Sequence, residues 1–190
     1  MEKFSCYPIP AMSISKKTKA SPQKRAHIPT PMLFKNVWCF LGLGFGSGLA
    51  PKAPGTFGTL AGIPIYLLAS AMHVEYYIAL TFVLFLIGIP ICSNTEKGIG
   101  IQDHSGIVWD EVVGLLITMT FLPPTWVGIA IGFASFRFFD VIKPWPIRWF
   151  DRRVHGGFGI MLDDAIAGIM ACAITNFGVS HLLSWNQLAI

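Results

Sequence analysis

Long apolar runs separated by short polar segments make up most of the chain. The first run is interrupted by glycines at positions 42, 44, 46 and 48, which predicts a short helix that breaks into a flexible loop. The later runs predict apolar helices over residues 57–72, 76–93, 109–123, 125–140 and 163–183. Thr56 follows Pro54 and Gly55 and is the expected N-cap of the first of these helices.

The composition indicates the environment of these helices. The chain is 53% apolar and 13% charged and its mean hydropathy is positive, which favours an integral membrane protein. Helices of roughly 16 to 18 residues barely cross a hydrocarbon layer of about 30 Å, so a compact soluble helical core stays an alternative. We predict an all-α, polytopic membrane protein with about four to five apolar helices.

The first 31 residues differ from the remainder. Seven of the 14 lysines and arginines lie in the first 35 positions, and the first thirty residues contain no apolar run of the kind that follows the lysines of a secretory signal. We predict a basic, flexible tail over residues 1–31, which either lies near anionic headgroups or has no partner. Residues 32–190 are predicted to form a single helical membrane domain. The scattered cysteines indicate reduced thiols.

The distribution of basic residues predicts an orientation. If the helices cross the membrane in turn, the connections at residues 73–77 and 122–126 share one side with the C-terminal segment SWNQLAI. None of these segments contains Lys or Arg, as the positive-inside rule expects of the side away from the cytoplasm. The glycine loop and the charged segments then face the cytoplasm together.

The glycine loop, GFGSGLAPKAPGTFG, lacks the spacing of a dinucleotide or P-loop fingerprint. It can present backbone N–H groups and a helix N-terminus to an anion, with Lys52 and Thr56 nearby. It can equally be a turn whose glycines let helices pack closely. The sequence leaves both interpretations open.

Acidic residues gather at predicted helix ends. The candidate metal ligands are Asp110, Glu111, Asp140, Asp163 and Asp164. Helical spacing places Asp110 over Gly114 and Asp164 over Gly168, on faces where helices can approach closely. Carboxylates gathered above such a contact need a compensating cation, and hard oxygen ligands suit Mg²⁺. The alternative, solvated acidic N-caps, does not explain Asp140 at a helix C-terminus.

Basic residues flank Asp140 on the same predicted helix end. Arg137 and Lys143 lie three residues before and after it, and we expect them to bind phosphoryl oxygens. The other candidate phosphate ligands are Arg148, Lys52 and Thr56.

Two further arginines and two histidines have competing interpretations. Arg152 and Arg153 are interpreted as anchors at lipid headgroups. His155 and His104 lie in predicted loops, where each can serve as an acid or base or be an ordinary surface residue.

Four segments occur in a distinctive order: GFGSGLAPKAPGTFGTLAG, DHSGIVWDEVVG, FRFFDVIKPWPIRWFDRRVHGGFGI and MLDDAIAG. Together they resemble the bacterial phosphatidylglycerophosphatase A family over roughly residues 40–170. The resemblance implies an Mg²⁺-dependent, multi-pass lipid phosphatase of the bacterial inner membrane with its active site facing the cytoplasm. Such an enzyme converts phosphatidylglycerophosphate to phosphatidylglycerol and inorganic phosphate in phospholipid biosynthesis. By resemblance, the five candidate carboxylates match the family's acidic motif positions. The family's basic motif positions are matched by Arg137, Lys143, Arg148, Arg152 and His155.

These expectations combine into one mechanism. Mg²⁺ held by Asp164, Asp140 and one carboxylate of the Asp110–Glu111 pair assists attack by water on the phosphate monoester. Arg137 and Lys143 clamp the phosphoryl oxygens. His155 protonates the leaving glycerol oxygen. The predicted catalytic residues are therefore His155, Asp140 and Asp164.

Two other classes of protein stay open as alternatives. A small helical-bundle transporter or scaffold would carry charges through the depth of its helices, whereas these charges crowd at helix ends. A soluble metal-dependent phosphohydrolase would not remain in the membrane fraction. The expected partners are the anionic lipid substrate and membrane lipids, with no nucleic acid, and the sequence does not determine an oligomeric state.

Overall fold

The computed structural model describes residues 36–188, with side chains for residues 36–178. All regular secondary structure in this part of the chain is helical. A 3₁₀ helix (Gly44–Leu49) accompanies the α-helices α1 (Val37–Gly42), α2 (Pro54–Ala69), α3 (Val74–Ile99), α4 (Trp109–Thr118), α5 (Trp126–Ile142), α6 (Ile147–Arg153) and α7 (Gly156–Leu188). The predicted all-α fold class is confirmed. The predicted tail over residues 1–31 lies outside the described residues, and the division into tail and domain stays a prediction.

Among the residues that the structure describes, two helices are long and apolar enough to cross a membrane: α3 and the Gly156–Gly178 part of α7. Only 28% of the apolar window of α3 is buried inside the protein, compared with 50% of that of α7. The shorter helix α2 is also apolar, and large side chains such as Leu68 and Phe82 lie exposed on the outer surface. Exposed apolar surface of this extent is typical of proteins that lie in lipid, which is consistent with the predicted membrane protein.

Helix α7 lies at the centre of the fold, where it packs against α3, α4, α5 and α6. A methyl group on Gly168 would lie 2.6 Å from the carbonyl oxygen of Gly114, so α4 and α7 approach with almost no side chain between them. Thr118 Oγ1 also donates a hydrogen bond of 3.4 Å to Gly168 O. The close approach predicted at Gly114 and Gly168 is confirmed, and it brings together the helix ends that carry Asp110 and Asp164.

The connections α2–α3 and α4–α5 lie at the other end of the bundle. Tyr66, near the end of α2, donates its hydroxyl hydrogen to Leu122 O at 2.8 Å. Asn176 of α7 donates through Nδ2 to Thr120 O at 3.1 Å. The connections without Lys or Arg therefore share one end of the molecule, as the alternating topology predicts, and the clustered acidic and basic residues lie at the opposite end.

Several helix boundaries differ from the predicted ones. Helix α3 continues past residue 93 and ends at Ile99. Its C-cap is Gly100, whose φ of 74° suits a helix C-terminus. Helix α4 ends at Thr118, before the two prolines. Helix α6 was not predicted. An apolar run marks only the part of a helix that meets lipid or core, whereas backbone hydrogen bonds continue through polar residues.

Two predicted helix starts were wrong in ways that bear on function. Helix α2 begins at Pro54 after Ala53, whose φ is 49°, so Thr56 lies within the first turn and is not the N-cap. A proline with its fixed φ is a favourable first helical residue and accounts for this earlier start. Helix α7 begins at Gly156, so Asp163 and Asp164 lie inside a helix and are not solvated N-caps.

Candidate active site

The charged end of the bundle encloses a cavity of about 120 Å³, called here the acidic cavity. Six of the predicted site residues line it: Asp110, Glu111, Asp140, Lys143, Asp163 and Asp164. They come from the start of α4, the end of α5 and the N-terminal part of α7. The fold therefore gathers in one place side chains that the sequence placed at three separate helix ends.

Three of these carboxylates converge on one point. Asp110, Glu111 and Asp164 each offer an oxygen atom, and the three oxygens lie within 4.8 Å of one another. The glycine contact between α4 and α7 sets this separation, since Asp110 and Asp164 each lie one helical turn before their glycine. We call these three residues the carboxylate triad.

Each triad residue has a buried oxygen that receives no hydrogen bond from the described residues. These atoms are Asp110 Oδ1, Glu111 Oε2 and Asp164 Oδ2. A buried carboxylate oxygen without a donor costs free energy, and three facing one another repel as well. A divalent cation with a preference for oxygen ligands would remove both costs, so the residues present fit a metal site.

The pKa values of the two acidic residues on α4 reflect the same crowding. Burial raises the pKa of Asp110 well above its ordinary value, and the neighbouring charge of Glu111 raises it further. Burial likewise raises the pKa of Glu111, and the charge of Asp164 adds to the shift. A cation bound by these groups would act in the opposite direction and favour the ionised carboxylates.

Asp140 has a different environment, because it forms an ion pair with Arg137. Arg137 Nη1 lies 2.6 Å from Asp140 Oδ2, one helical turn along α5, and 4.0 Å from Glu111 Oε1. The same nitrogen lies 3.5 Å from Thr59 Oγ1 on α2. The ion pair explains how an acidic residue is accommodated at the C-terminus of α5, where the helix dipole disfavours it.

Asp163 is also held by a basic residue. Lys143 donates hydrogen bonds through Nζ to Asp163 Oδ2 and, at 2.9 Å, to Asp151 Oδ1. Burial alone would lower the pKa of Lys143, but the charges and hydrogen bonds of Asp163 and Asp151 outweigh it and raise that pKa above its ordinary value. Lys143 therefore stays protonated, and Asp163 presents its second buried oxygen, Oδ1, without a donor among the described residues.

Four of the other predicted site residues lie outside the acidic cavity. His155 is exposed and lines a neighbouring cavity of about 190 Å³, which shares Asp103 and Asp163 with the acidic one. Arg148 is exposed on α6, Lys52 is exposed in the glycine loop, and Thr56 is half-buried in the first turn of α2.

Several polar residues in or beside the acidic cavity were not among the predicted site residues, and two of them contact its other groups in ways that bear on function. His104 is 4% exposed and lines the cavity, and its Nδ1 accepts a hydrogen bond of 3.0 Å from the Gly106 N–H. A neutral imidazole with an accepting Nδ1 carries its proton on Nε2. Asp151 contacts Lys143 from α6. The sequence named His104 as a possible acid or base but favoured His155, whose position matches the family resemblance. Asp151 becomes relevant only once α6 is placed.

The first turn of α2 contacts the site through Gly55. A methyl group there would lie 2.2 Å from Glu111 Oε1 and 3.1 Å from Arg137 Nη1. We expect Gly55→Ala to push the Glu111 carboxylate out of position and lower kcat about 10- to 100-fold, as for residues that orient metal ligands. The thermal midpoint should change little, because the displaced atom ends a flexible side chain. Phosphate release and thermal unfolding of the purified variant measure both effects.

Gly178→Ala is the matched control, since nothing lies within 4 Å of a methyl group at Gly178. It should keep the parent activity. A Gly55→Ala variant with parent activity would show that this glycine does not position Glu111.

Comparisons with known proteins point to one family. The family model described as "Phosphatidylglycerophosphatase A" matches residues 40–179. Phosphatidylglycerophosphatase A of Escherichia coli is 47% identical over 147 residues, which cover 77% of this chain and 86% of the relative. Phosphatidylglycerophosphatase A of Haemophilus influenzae is 42% identical over 159 residues, covering 83% of this chain and 94% of the relative.

A third relative carries a different name. A protein of Bacteroides thetaiotaomicron, provisionally named a phosphatidylinositol-3-phosphatase, is 38% identical over 138 residues, covering 68% of this chain and 85% of the relative. No solved structure matches the chain significantly. The family model spans the carboxylate triad, the ion pairs of Arg137 and Lys143 and the helices that carry them, α7 as far as residue 179. On this evidence the chain belongs to the phosphatidylglycerophosphatase A family.

Proposed function

We propose that this protein removes the terminal phosphate of phosphatidylglycerophosphate, leaving phosphatidylglycerol and inorganic phosphate. Family membership and the two relatives of that name support the activity and the substrate. The observation that carries the chemistry is the carboxylate triad, whose converging buried oxygens fit a cation. A phosphate monoester is cleaved mainly by neutralising and positioning its charge, and such a site provides for both.

The cation we propose is Mg²⁺, held by Asp110, Glu111 and Asp164. Asp163 Oδ1 and Asp140 line the same cavity and complete the proposed ligand set. Mg²⁺ bound there would neutralise phosphoryl oxygens and make a water molecule a better nucleophile for direct attack.

Arg137 and Lys143 are the proposed phosphate ligands, and their ion pairs support this role. Each is held at the cavity by a carboxylate, Arg137 by Asp140 and Lys143 by Asp163. Because a guanidinium has five N–H donors, Arg137 can keep its contact with Asp140 through Nη1 and still bind a phosphoryl oxygen. Asp140 and Asp163 thus position the side chains of Arg137 and Lys143.

A histidine is proposed to protonate the leaving glycerol oxygen. His104 lines the acidic cavity, and its imidazolium form, reached by giving up the hydrogen bond that Nδ1 accepts from the Gly106 N–H, would transfer a ring proton to the leaving oxygen and return to the neutral imidazole. His155, which the sequence favoured, lines the neighbouring cavity. We propose His104 as the donor and keep His155 as the alternative.

Replacing each histidine by glutamine separates these roles. We expect His104→Gln to lower kcat about 10²- to 10⁴-fold, as for loss of a general acid, and His155→Gln to keep most of the activity. The pH dependence of kcat should lose its basic limb in the first variant only. The reverse pattern would assign the proton donor to His155.

We propose that the protein lies in the bacterial inner membrane with the acidic cavity facing the cytoplasm. The positive-inside rule supports this orientation, because the described connections at the opposite end of the bundle contain no Lys or Arg. Retention in the membrane fraction after a carbonate wash tests the location. Release by the wash would favour the soluble alternative.

The activity is tested with purified protein in detergent. We expect Mg²⁺-dependent phosphate release from phosphatidylglycerophosphate, with a higher kcat/KM than for phosphatidylinositol 3-phosphate. A higher kcat/KM for the inositol lipid would reassign the substrate to that suggested by the Bacteroides relative's name. No phosphate release from either lipid would favour a transporter or scaffold.

The two lipids share one chemical feature. Each carries a phosphate monoester on a headgroup that is itself joined to diacylglycerol through a phosphodiester. An enzyme for either lipid therefore meets two phosphates, of which only one is cleaved.

A further inference from the structure

A groove of about 610 Å³ lies beside the acidic cavity, formed by helix α6 and the segment that joins it to α5. Its lining includes the arginines Arg148, Arg152 and Arg153 and the indoles of Trp145 and Trp149. We call it the arginine groove. Lys143 lines both this groove and the acidic cavity, so the two are neighbours with a common wall.

The arginine groove carries positive charge that the described residues do not neutralise. Ion pairs in this part of the chain involve Arg137 and Lys143, and none reaches the three arginines of α6. All three arginines are exposed, and the Arg153 guanidinium lies 4.4 Å from the centroid of the Trp149 ring. Arg148 and Arg152 are one helical turn apart and share a face of α6. An anion is the complementary ligand.

Apolar side chains surround this charge. Trp145 is 81% exposed, Trp149 43% and Ile142 56%. Indole rings beside arginines are typical of the depth at which lipid headgroups meet acyl chains. The complementary anion should therefore be joined to an apolar group, as the phosphodiester of a glycerophospholipid is.

We propose that the arginine groove binds the phosphodiester of the lipid whose terminal phosphate occupies the acidic cavity. This rests on the proposed function, because it requires the phosphate monoester to lie among the triad, Arg137 and Lys143. One glycerol unit separates the two phosphates of phosphatidylglycerophosphate, which suits two sites that share Lys143 as a wall. Arg148 and Arg152 bind the diester oxygens, and Trp145 and Trp149 contact the glycerol backbone and the start of the acyl chains.

A consequence is selection for a lipid with two phosphates. Phosphatidic acid has one phosphate, a monoester attached directly to diacylglycerol, so it can occupy the acidic cavity or the groove but not both. The second contact contributes binding free energy only for lipids that carry the diester.

The double variant Arg148→Gln/Arg152→Gln tests this in neutral detergent micelles. Loss of charged hydrogen bonds to the diester should lower kcat/KM for phosphatidylglycerophosphate, relative to that for phosphatidic acid, about 10- to 100-fold. The change should lie mainly in KM. Inhibition by phosphatidylglycerol, which keeps only the diester, should weaken by a similar factor, whereas inhibition by inorganic phosphate should stay unchanged.

Lys97→Gln is the control, because Lys97 is an exposed cation in the last turn of α3 outside the groove. It should alter neither the substrate ratio nor inhibition by phosphatidylglycerol. Equal losses for the two substrates with unchanged phosphatidylglycerol inhibition would mean that the arginines only anchor the protein, which would overturn the proposal. An unaltered double variant would overturn it as well.

Direct binding separates this proposal from the proposed function. Short-chain phosphatidylglycerol should bind the parent protein and Asp164→Asn equally in calorimetric titrations, and bind the double variant weakly. If the parent released no phosphate but this pattern held, the proposed function would fall and the diester site would stand. If catalysis held and the double variant bound phosphatidylglycerol normally, the diester site alone would fall.

Discussion

Asp164→Asn is expected to lower kcat for phosphatidylglycerophosphate about a thousandfold. Asp164 supplies one of the three converging oxygens and is buried at the contact of α7 with α4. An amide keeps the shape of the side chain but loses the negative charge that a divalent cation requires. Metal ions contribute several kcal/mol to charge stabilisation in such reactions, and about 4 kcal/mol corresponds to a thousandfold change in rate.

Phosphate release under saturating substrate measures this loss, and thermal unfolding checks the fold. Without Mg²⁺ the variant should unfold no earlier than the parent, because the substitution removes one of several crowded negative charges. The increase in thermal midpoint on adding Mg²⁺ should largely disappear. Glu75→Gln is the control, an exposed acidic residue in the first turn of α3, and should match the parent. Parent-like turnover by Asp164→Asn would refute the assignment of the metal site.

Removal of divalent cations should have a comparably large effect. We expect excess EDTA to reduce phosphate release to about the level of Asp164→Asn and added Mg²⁺ to restore it. The physical reason is the triad itself, whose buried oxygens receive no hydrogen bond from the described residues and repel one another without a cation. Full activity in EDTA would exclude a metal-dependent reaction at this site.

The raised pKa values of Asp110 and Glu111 predict how stability responds to pH in the same experiment. The folded, metal-free protein binds protons at these residues more readily than the unfolded chain does. Its stability should therefore be greatest where both are protonated and fall as pH rises through the raised pKa values. Mg²⁺ replaces those protons, so its stabilising effect should grow with pH. Thermal midpoints with and without Mg²⁺ across the neutral range measure this, and a Mg²⁺ effect that grows towards acid pH would contradict it.

Much of the architecture could be predicted because the signals are local. Apolar runs predicted the main helices, and the absence of basic residues near residues 73–77 and 122–126 predicted which connections share an end. Helical spacing placed Asp110 and Asp164 over the glycines at which α4 and α7 meet. Helix starts were less accurate, as at Thr56 and Asp163, because capping depends on backbone geometry that composition does not reveal.

By itself, the sequence predicted an all-helical membrane protein in which the basic groups and most acidic groups gather at helix ends on one side. Only the tertiary structure decided which of those groups form the carboxylate triad and which form ion pairs. The glycine contact of α4 with α7 brings Asp110, Glu111 and Asp164 together, whereas Asp140 and Asp163 are paired with Arg137 and Lys143. It also placed His104 in the acidic cavity and the arginines of α6 in a separate groove. The reason is that charge interactions depend on distances of a few ångströms, and between residues far apart in sequence only helix packing sets those distances.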